Sequence, residues 1–202
     1  MCLWKAVNID TDPPAASEIP RKFSIRASPQ TDIWESPISK RAFNAPILYQ
    51  SMPLAKFKRA RVTIASDFQD TYSQGGLIII LHPRNGDTQW VKIGVESLQG
   101  EQMVSVVGKD RWPDCSNGSV LQKEEQGCEA TIEMVRRDSY LEVAEIEFRN
   151  GEERSKVIRE IIWAFAARTG DEECWVGAYA AEPTDTVSDL VVTFTGLDIE
   201  RM

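Results

Sequence analysis

Residues 75–107 read GGLIIILHPRNGDTQWVKIGVESLQGEQMVSVV, a pattern that predicts three β-strands joined by turns. The middle segment, 90–96, alternates strictly. Successive side chains of a strand point to opposite faces. Val91, Ile93 and Val95 therefore share one face, and Trp90, Lys92, Gly94 and Glu96 share the other. A half-buried strand ordinarily shows water a plain polar face. Here an indole, a base, a gap and an acid stand in a row, which suits a face that binds something.

Similar signals recur along the chain. Phe23-Ser-Ile-Arg-Ala27 alternates, and segments 45–51, 57–64, 175–180 and 190–195 read as further strands. The apolar run 77–81 is too short for most helices and suits a central strand. Segments 130–135 and 140–148 predict a hairpin, and Asn150-Gly151 is a tight-turn signal. Between these elements lie a polar loop ending at Trp34, a loop over 67–76 carrying Tyr72, and an irregular stretch over 108–127 carrying Trp112. Segment 155–167 departs from the pattern, with helix-spaced apolar residues at Val157, Ile158, Ile161, Ile162 and Phe165. A strand over 156–159 followed by a helical turn or short helix is predicted there. Ten or more short strands with few helices imply an all-β sandwich of two antiparallel sheets, with at most one or two short helices. Residues 1–22 read as an N-terminal segment and extended connector, and 23–202 as a single domain.

Charge narrows the partners. A net charge of -8 over 202 residues argues against nucleic acid and anionic membranes, which need clustered Lys and Arg. The short basic clusters at Lys56, Lys58, Arg59 and Arg61 and at Arg136 and Arg137 read as solvated strand edges or turns. No stretch approaches the ~20 apolar residues of a membrane span, and the N-terminus carries no secretory apolar core. Cys2, Cys115, Cys128 and Cys174 form no CxxC and read as reduced thiols of a cytosolic protein. A Cys115–Cys128 bridge is the alternative for an exported chain.

The chemistry is bounded by absences. The single histidine, His82, ends an apolar strand before a turn and excludes a multi-histidine metal site. No GxSxG, P-loop, GxGxxG or HExxH is present, and Asp10-Thr-Asp12 lacks the glycine and glutamate of a calcium loop. Neither metal nor organic cofactor is expected. Paired carboxylates for glycoside hydrolysis are sought in vain: Glu145 and Glu147 lie two apart, with Glu142 on the opposite parity, and no aromatic neighbours.

The motifs Thr31-Asp-Ile-Trp34, Phe43-Asn-Ala-Pro-Ile-Leu-Tyr49, Tyr72-Ser-Gln-Gly-Gly-Leu77, Gln89-Trp-Val-Lys-Ile-Gly-Val-Glu96, Ser105-Val-Val, Trp112, Trp175-Val-Gly-Ala-Tyr179 and Val192-Thr-Phe occur in this order. In this the chain resembles the "regulation of enolase" family, a domain of largely unknown function. The resemblance covers roughly residues 23–199 and implies a concanavalin A-like lectin/glucanase jelly roll. Such a fold stacks two curved sheets, one of them concave towards solvent.

Parity then defines a candidate cleft. With Val91, Ile93, Val95, Val104, Val106, Val176, Ala178 and Ala180 between the sheets, Trp90, Lys92, Glu96, Ser105 and Tyr179 face the concave side. Trp34, Tyr72 and Trp112 are expected to wall it. Aromatics with a few convergent polar groups suit a small-molecule cleft; the opposing view is a Lys92–Glu96 pair over a minor core of indoles. Two functions follow. One is a cytosolic binding or regulatory module for a sugar or other metabolite, with its outer surface free to touch a protein partner. The other is a cofactor-free isomerase or cyclase, with Lys92 and Glu96 as proton donor and acceptor. Glycoside hydrolysis is disfavoured, since fold does not carry function.

Overall fold

A computed structural model describes residues 3–9, 13–38, 41–82, 87–121, 128–166 and 172–202. Seven strands form one antiparallel sheet: β1 (Trp4–Val7), β5 (Ile47–Pro53), β7 (Gln74–His82), β8 (Gln89–Leu98), β9 (Glu101–Lys109), β10 (Pro113–Ser119) and β14 (Glu173–Ala181). Their spatial order is β1-β5-β14-β7-β8-β9-β10. Six strands form the second: β2 (Lys22–Ala27), β6 (Phe57–Ser66), β11 (Cys128–Arg137), β12 (Tyr140–Arg149), β13 (Glu152–Ile161) and β15 (Leu190–Arg201), ordered β13-β12-β11-β6-β15-β2. A short antiparallel ribbon, β3 (Ile33–Glu35) with β4 (Arg41–Phe43), belongs to neither. The helical content is one 3-10 turn at Leu54–Lys56 among the described residues. This is the sandwich of two antiparallel sheets expected from the strand pattern, and it agrees with the jelly roll that the family resemblance implies.

The main core lies between the sheets. Val91, Ile93 and Val95 of β8 meet Val104 and Val106 of β9, Val176 and Ala178 of β14, and Ile132 and Met134 from the second sheet. All nine are fully buried, and burial of each side chain contributes about 1.5–3 kcal/mol for the larger aliphatics. β7 is apolar on both faces because both are covered: Leu77, Ile79 and Leu81 join this core, while Ile78 and Ile80 join a second, smaller one on the outer face. Asn150 (φ 53°) and Gly151 (φ 79°) occupy the left-handed region of the tight turn between β12 and β13.

Three expectations are corrected. No helix follows residue 159 among the described residues: β13 runs on to Ile161, and Ile162 and Trp163 form a turn. The register shifts at Val143/Ala144, so that Arg159 and Val157 pair with β12 while Ile158 is skipped. That bulge breaks the two-residue alternation and imitates helical spacing. The stretch 108–127 is not irregular throughout, since β10 occupies Pro113–Ser119 and pairs with β9; residues 122–127 lie outside the described set. Trp34 is not in a loop but in β3.

Candidate functional site

The site is built on the outer face of β8. With the valines and isoleucine of this strand turned inward, Trp90, Lys92, Gly94 and Glu96 face away from the second sheet. Register sets their neighbours. Gln74 lies opposite Glu96, Gly76 opposite Gly94, and Ser105 opposite Gly94 on the other side. Tyr179 pairs with Gly76, and Asn117 with Ser105.

The backbones approach closely here. A Cβ on Gly94 would meet the Gly75 carbonyl oxygen at 2.0 Å, and one on Gly76 would meet that of Ile93 at 2.0 Å. Only glycine fits this facing pair. Gly94 also leaves the floor clear between Lys92 and Glu96.

The ribbon lies across this face. Ile33 is fully buried against Ile78, Ile80, Trp90 and Tyr179. Two buried lysines fasten it. Lys92 Nζ donates to the Ile33 carbonyl at 2.9 Å and to Gln74 Oε1 at 2.6 Å. Lys109 Nζ donates to the Thr88 carbonyl at 2.9 Å and pairs with Glu35 at 3.2 Å. Asn8 adds hydrogen bonds from Nδ2 to the carbonyls of Phe43 and Ala45.

Beside the ribbon the face opens into a cavity of about 350 Å³. Asp32 and Trp34 of the ribbon wall one side, and Tyr72 and Pro183 another. Lys92, Glu96 and Gln74 form the floor, and Cys115 and Asn117 of β10 close the rim. Tyr72 is held at φ 71°, an unusual conformation for a bulky residue. Its neighbours fix it there: Tyr72 N–H donates to the Ser97 carbonyl at 2.7 Å, and Ser73 Oγ donates to buried Glu182, which also accepts from Thr184 Oγ1 at 2.6 Å.

The cavity thus gathers Trp34, Tyr72, Lys92 and Glu96 of the residues singled out by sequence. Trp90 and Tyr179, each 3 % exposed, lie beneath the ribbon instead, with rings 5.7 and 5.6 Å from Lys92 Nζ. Ser105 sits behind the lining, bonded to Glu96 and 3.5 Å from Cys115 Sγ. Trp112 is exposed, outside the cavity lining. Asp32, Gln74, Leu98, Cys115 and Asn117 were not foreseen. Cys115 and Asn117 share a parity that recognition of β10 would have exposed, and Gln74 continues the Ile78–Ile80 face. Asp32 stands in the Thr31–Trp34 motif, but nothing in that motif assigned it to the cavity.

Burial dominates the electrostatics. It pushes the Lys92 ammonium down, opposed first by the charge of Asp32, 4.0 Å away, and then by Glu96. It pushes the Glu96 carboxyl up, opposed by the Ser105 hydrogen bond and by Lys92. It also raises the Cys115 thiol and, strongly, the Tyr179 phenol. A carboxyl biased towards its protonated form on the same floor as an amine biased towards its neutral form can both donate and accept hydrogen bonds.

A larger groove of about 540 Å³ lies between the N-terminal segment and β2. Its polar groups are spent internally: Asn8 as above, Asn44 on Gln30 and Asp32, and Arg26 on Asp189 at 3.1 Å. The smaller cavity, with convergent titratable groups, is the better site despite its size. The carboxylates Glu142, Glu145 and Glu147 belong to β12, on the other sheet, where Glu145 is buried and accepts from the Leu121 N–H at 2.8 Å. Among the described residues no group of three or more His, Cys, Asp or Glu is placed to hold a metal ion, and no helix is long and apolar enough to cross a membrane.

Fold and site together define a lectin-like jelly roll whose outer sheet face carries a pocket walled by the ribbon. The chain belongs to the DUF1349 family of proteins of unknown function, which it matches over residues 11–202. It is 42% identical to the uncharacterized protein AN7484 of Emericella nidulans over 201 residues, 99% of this chain and 96% of that one. A functionally unknown protein from Saccharomyces cerevisiae has a similar solved structure, with a TM-score of 0.76 at 17% identity, covering 98% of this chain and 96% of that one. The structure of Rv0315 from Mycobacterium tuberculosis, described as an immunostimulatory antigen and pseudo beta-1,3-glucanase, aligns with a TM-score of 0.55 at 10% identity over 98% and 91% of the two chains. At these identities the structural likenesses show the fold alone.

Proposed function

We propose that this protein binds a small, hydroxyl-bearing metabolite, sugar-sized, in the pocket between the ribbon and β8, as a binding or regulatory module of the cytosol. One observation carries the reading: the ribbon crosses the sheet face where a lectin-type groove would run, and leaves a cavity of about 350 Å³. An open groove suits a polymer. A cavity walled by the ribbon, at the low end of the ~300–1,000 Å³ range, suits a small molecule. Trp34 and Tyr72 offer faces for stacking, and Glu96 and Asn117 offer polar groups for hydroxyls. Cys115 and Cys174 carry free thiols, as a reducing compartment requires. The motif likeness to "regulation of enolase" proteins adds a regulatory role to this reading, through a protein partner on the outer surface.

A second reading, a cofactor-free isomerase or cyclase, is favoured by the opposite tuning of Lys92 and Glu96 on one floor. Glycoside hydrolysis fits poorly. Asp32 Oδ1 already accepts the Ile33 N–H at 2.7 Å and faces Lys92, so the pocket lacks two free carboxyl groups.

A thermal-shift screen of sugars, sugar acids and polyols tests the binding reading. Hits should raise the melting temperature of the wild type and lose that effect in Glu96→Gln. A panel without hits, or hits indifferent to Glu96→Gln, would count against it.

A further inference from the structure

We propose that Lys92 captures carbonyl compounds: its amine condenses with an aldehyde or ketone ligand in the pocket to form an imine. This rests on the pocket reading above and names the ligand class.

The two buried lysines of this face are held differently. Lys109 Nζ lies 3.2 Å from the Glu35 carboxylate, as an ion does, beside a cleft of about 20 Å³. Lys92 Nζ instead bonds two neutral acceptors, the Ile33 carbonyl and Gln74 Oε1, and its nearest carboxylate, Asp32, stands off at 4.0 Å. Two N–H donations are what a neutral amine can make, and they leave its lone pair unspent. Lys92 also lines the cavity, although it is only 3 % exposed. Desolvation by this burial favours the neutral amine, the form that attacks a carbonyl.

Gln74 aims the amine. It sits directly opposite Glu96 in the register, so its hold on Nζ draws Lys92 over Gly94 towards the carboxyl. The step then balances without oxidant or reductant. The lone pair forms a C–N bond, the carbonyl π electrons pass to oxygen, and nitrogen gives up a proton as that oxygen gains one. The carbinolamine hydroxyl leaves as water with the Glu96 proton, giving C=N. The Trp90 and Tyr179 rings, 5.7 and 5.6 Å away, stabilise the protonated imine. Water reverses the reaction.

The test is reductive trapping on the folded protein with glyceraldehyde and, separately, benzaldehyde, using cyanoborohydride and peptide mass spectrometry. The reduced adduct should map to Lys92 at a rate at least about tenfold above that of exposed Lys22 and Lys56. The preference should persist as pH is lowered and vanish in urea. Glu96→Gln should slow Lys92 labelling about tenfold or more. Labelling confined to exposed lysines, or equal at all three, overturns the imine. A sugar that shifts the melting temperature while Lys92 stays unlabelled overturns the imine and leaves the pocket reading standing; no thermal shift and no label overturns both.

Discussion

Lys92 Nζ donates to the backbone carbonyl of Ile33 at 2.9 Å, so a strand-borne side chain fastens the ribbon that covers it. The same nitrogen binds Gln74, which also accepts from the Tyr179 hydroxyl at 3.3 Å. The ribbon, the floor and the under-layer of the pocket are thus joined through two atoms, Lys92 Nζ and Gln74 Oε1.

Replacement of either buried lysine should loosen the ribbon, with different costs. Lys92→Met takes a donor from the Ile33 carbonyl and leaves Gln74 Oε1 with Tyr179 alone, and should cost about 2 kcal/mol. Lys109→Met leaves the Glu35 carboxylate, 18% exposed, with only the solvent-exposed Arg41 at 3.8 Å, and should cost about 3 kcal/mol. Urea denaturation of both variants checks the order; a larger loss for Lys92→Met would contradict the assignment of Lys109 as the ion-paired anchor.

Gly94→Ala places a Cβ 2.0 Å from the Gly75 carbonyl oxygen, where neither backbone can yield cheaply. A loss of about 3 kcal/mol or more is expected, as for other severe overpacking. Gly118→Ala is the control. Nothing lies within 4 Å of its added Cβ, and its effect should stay within about 0.5 kcal/mol. Equal melting temperatures for the two variants would refute the close approach.

Most of the fold was legible because aliphatic alternation fixes which face is buried, and β8, β9 and β14 all obey it. The elements that escaped lack that signal. β10 reads PDCSNGS and is an edge strand with little to bury. The bulge at Val143/Ala144 disguised β13. The site was half legible for the same reason. Parity turned Lys92 and Glu96 to the correct side, but nothing local told that the ribbon would cross Trp90 and Tyr179 and bury them. Asp32 reaches the pocket wall only through that long-range docking.

Burial raises the Glu96 carboxyl, so the folded protein binds its proton more tightly than the unfolded chain. Stability from this group is therefore full below the ordinary carboxylate range and falls as pH rises towards the raised value. Glu96→Gln removes the titration. Its stability relative to wild type should improve from acid to neutral pH, as followed by urea denaturation across that range. A gap independent of pH would contradict the shift.

Thiol reactivity should rank by burial. Cys115 is exposed at the pocket rim, whereas Cys128 and Cys174 are buried, the latter pushed up to about 12. Iodoacetamide should alkylate Cys115 before these two, yet more slowly than an unperturbed thiol, because its own ionisation is disfavoured. Peptide mapping over time reads the order, and prior reaction at Cys174 would show that the outer sheet is not packed as described.

The pocket itself is tested most directly by the dissociation constant of a thermal-shift hit for Trp34→Ala and Trp112→Ala. Trp34 lines the cavity, while Trp112 stands outside it, 43% exposed. Loss of the stacking face should weaken binding about tenfold or more in Trp34→Ala, and Trp112→Ala should bind as the wild type does. Unchanged affinity in Trp34→Ala, or a loss confined to Trp112→Ala, would place the ligand elsewhere and contradict the account.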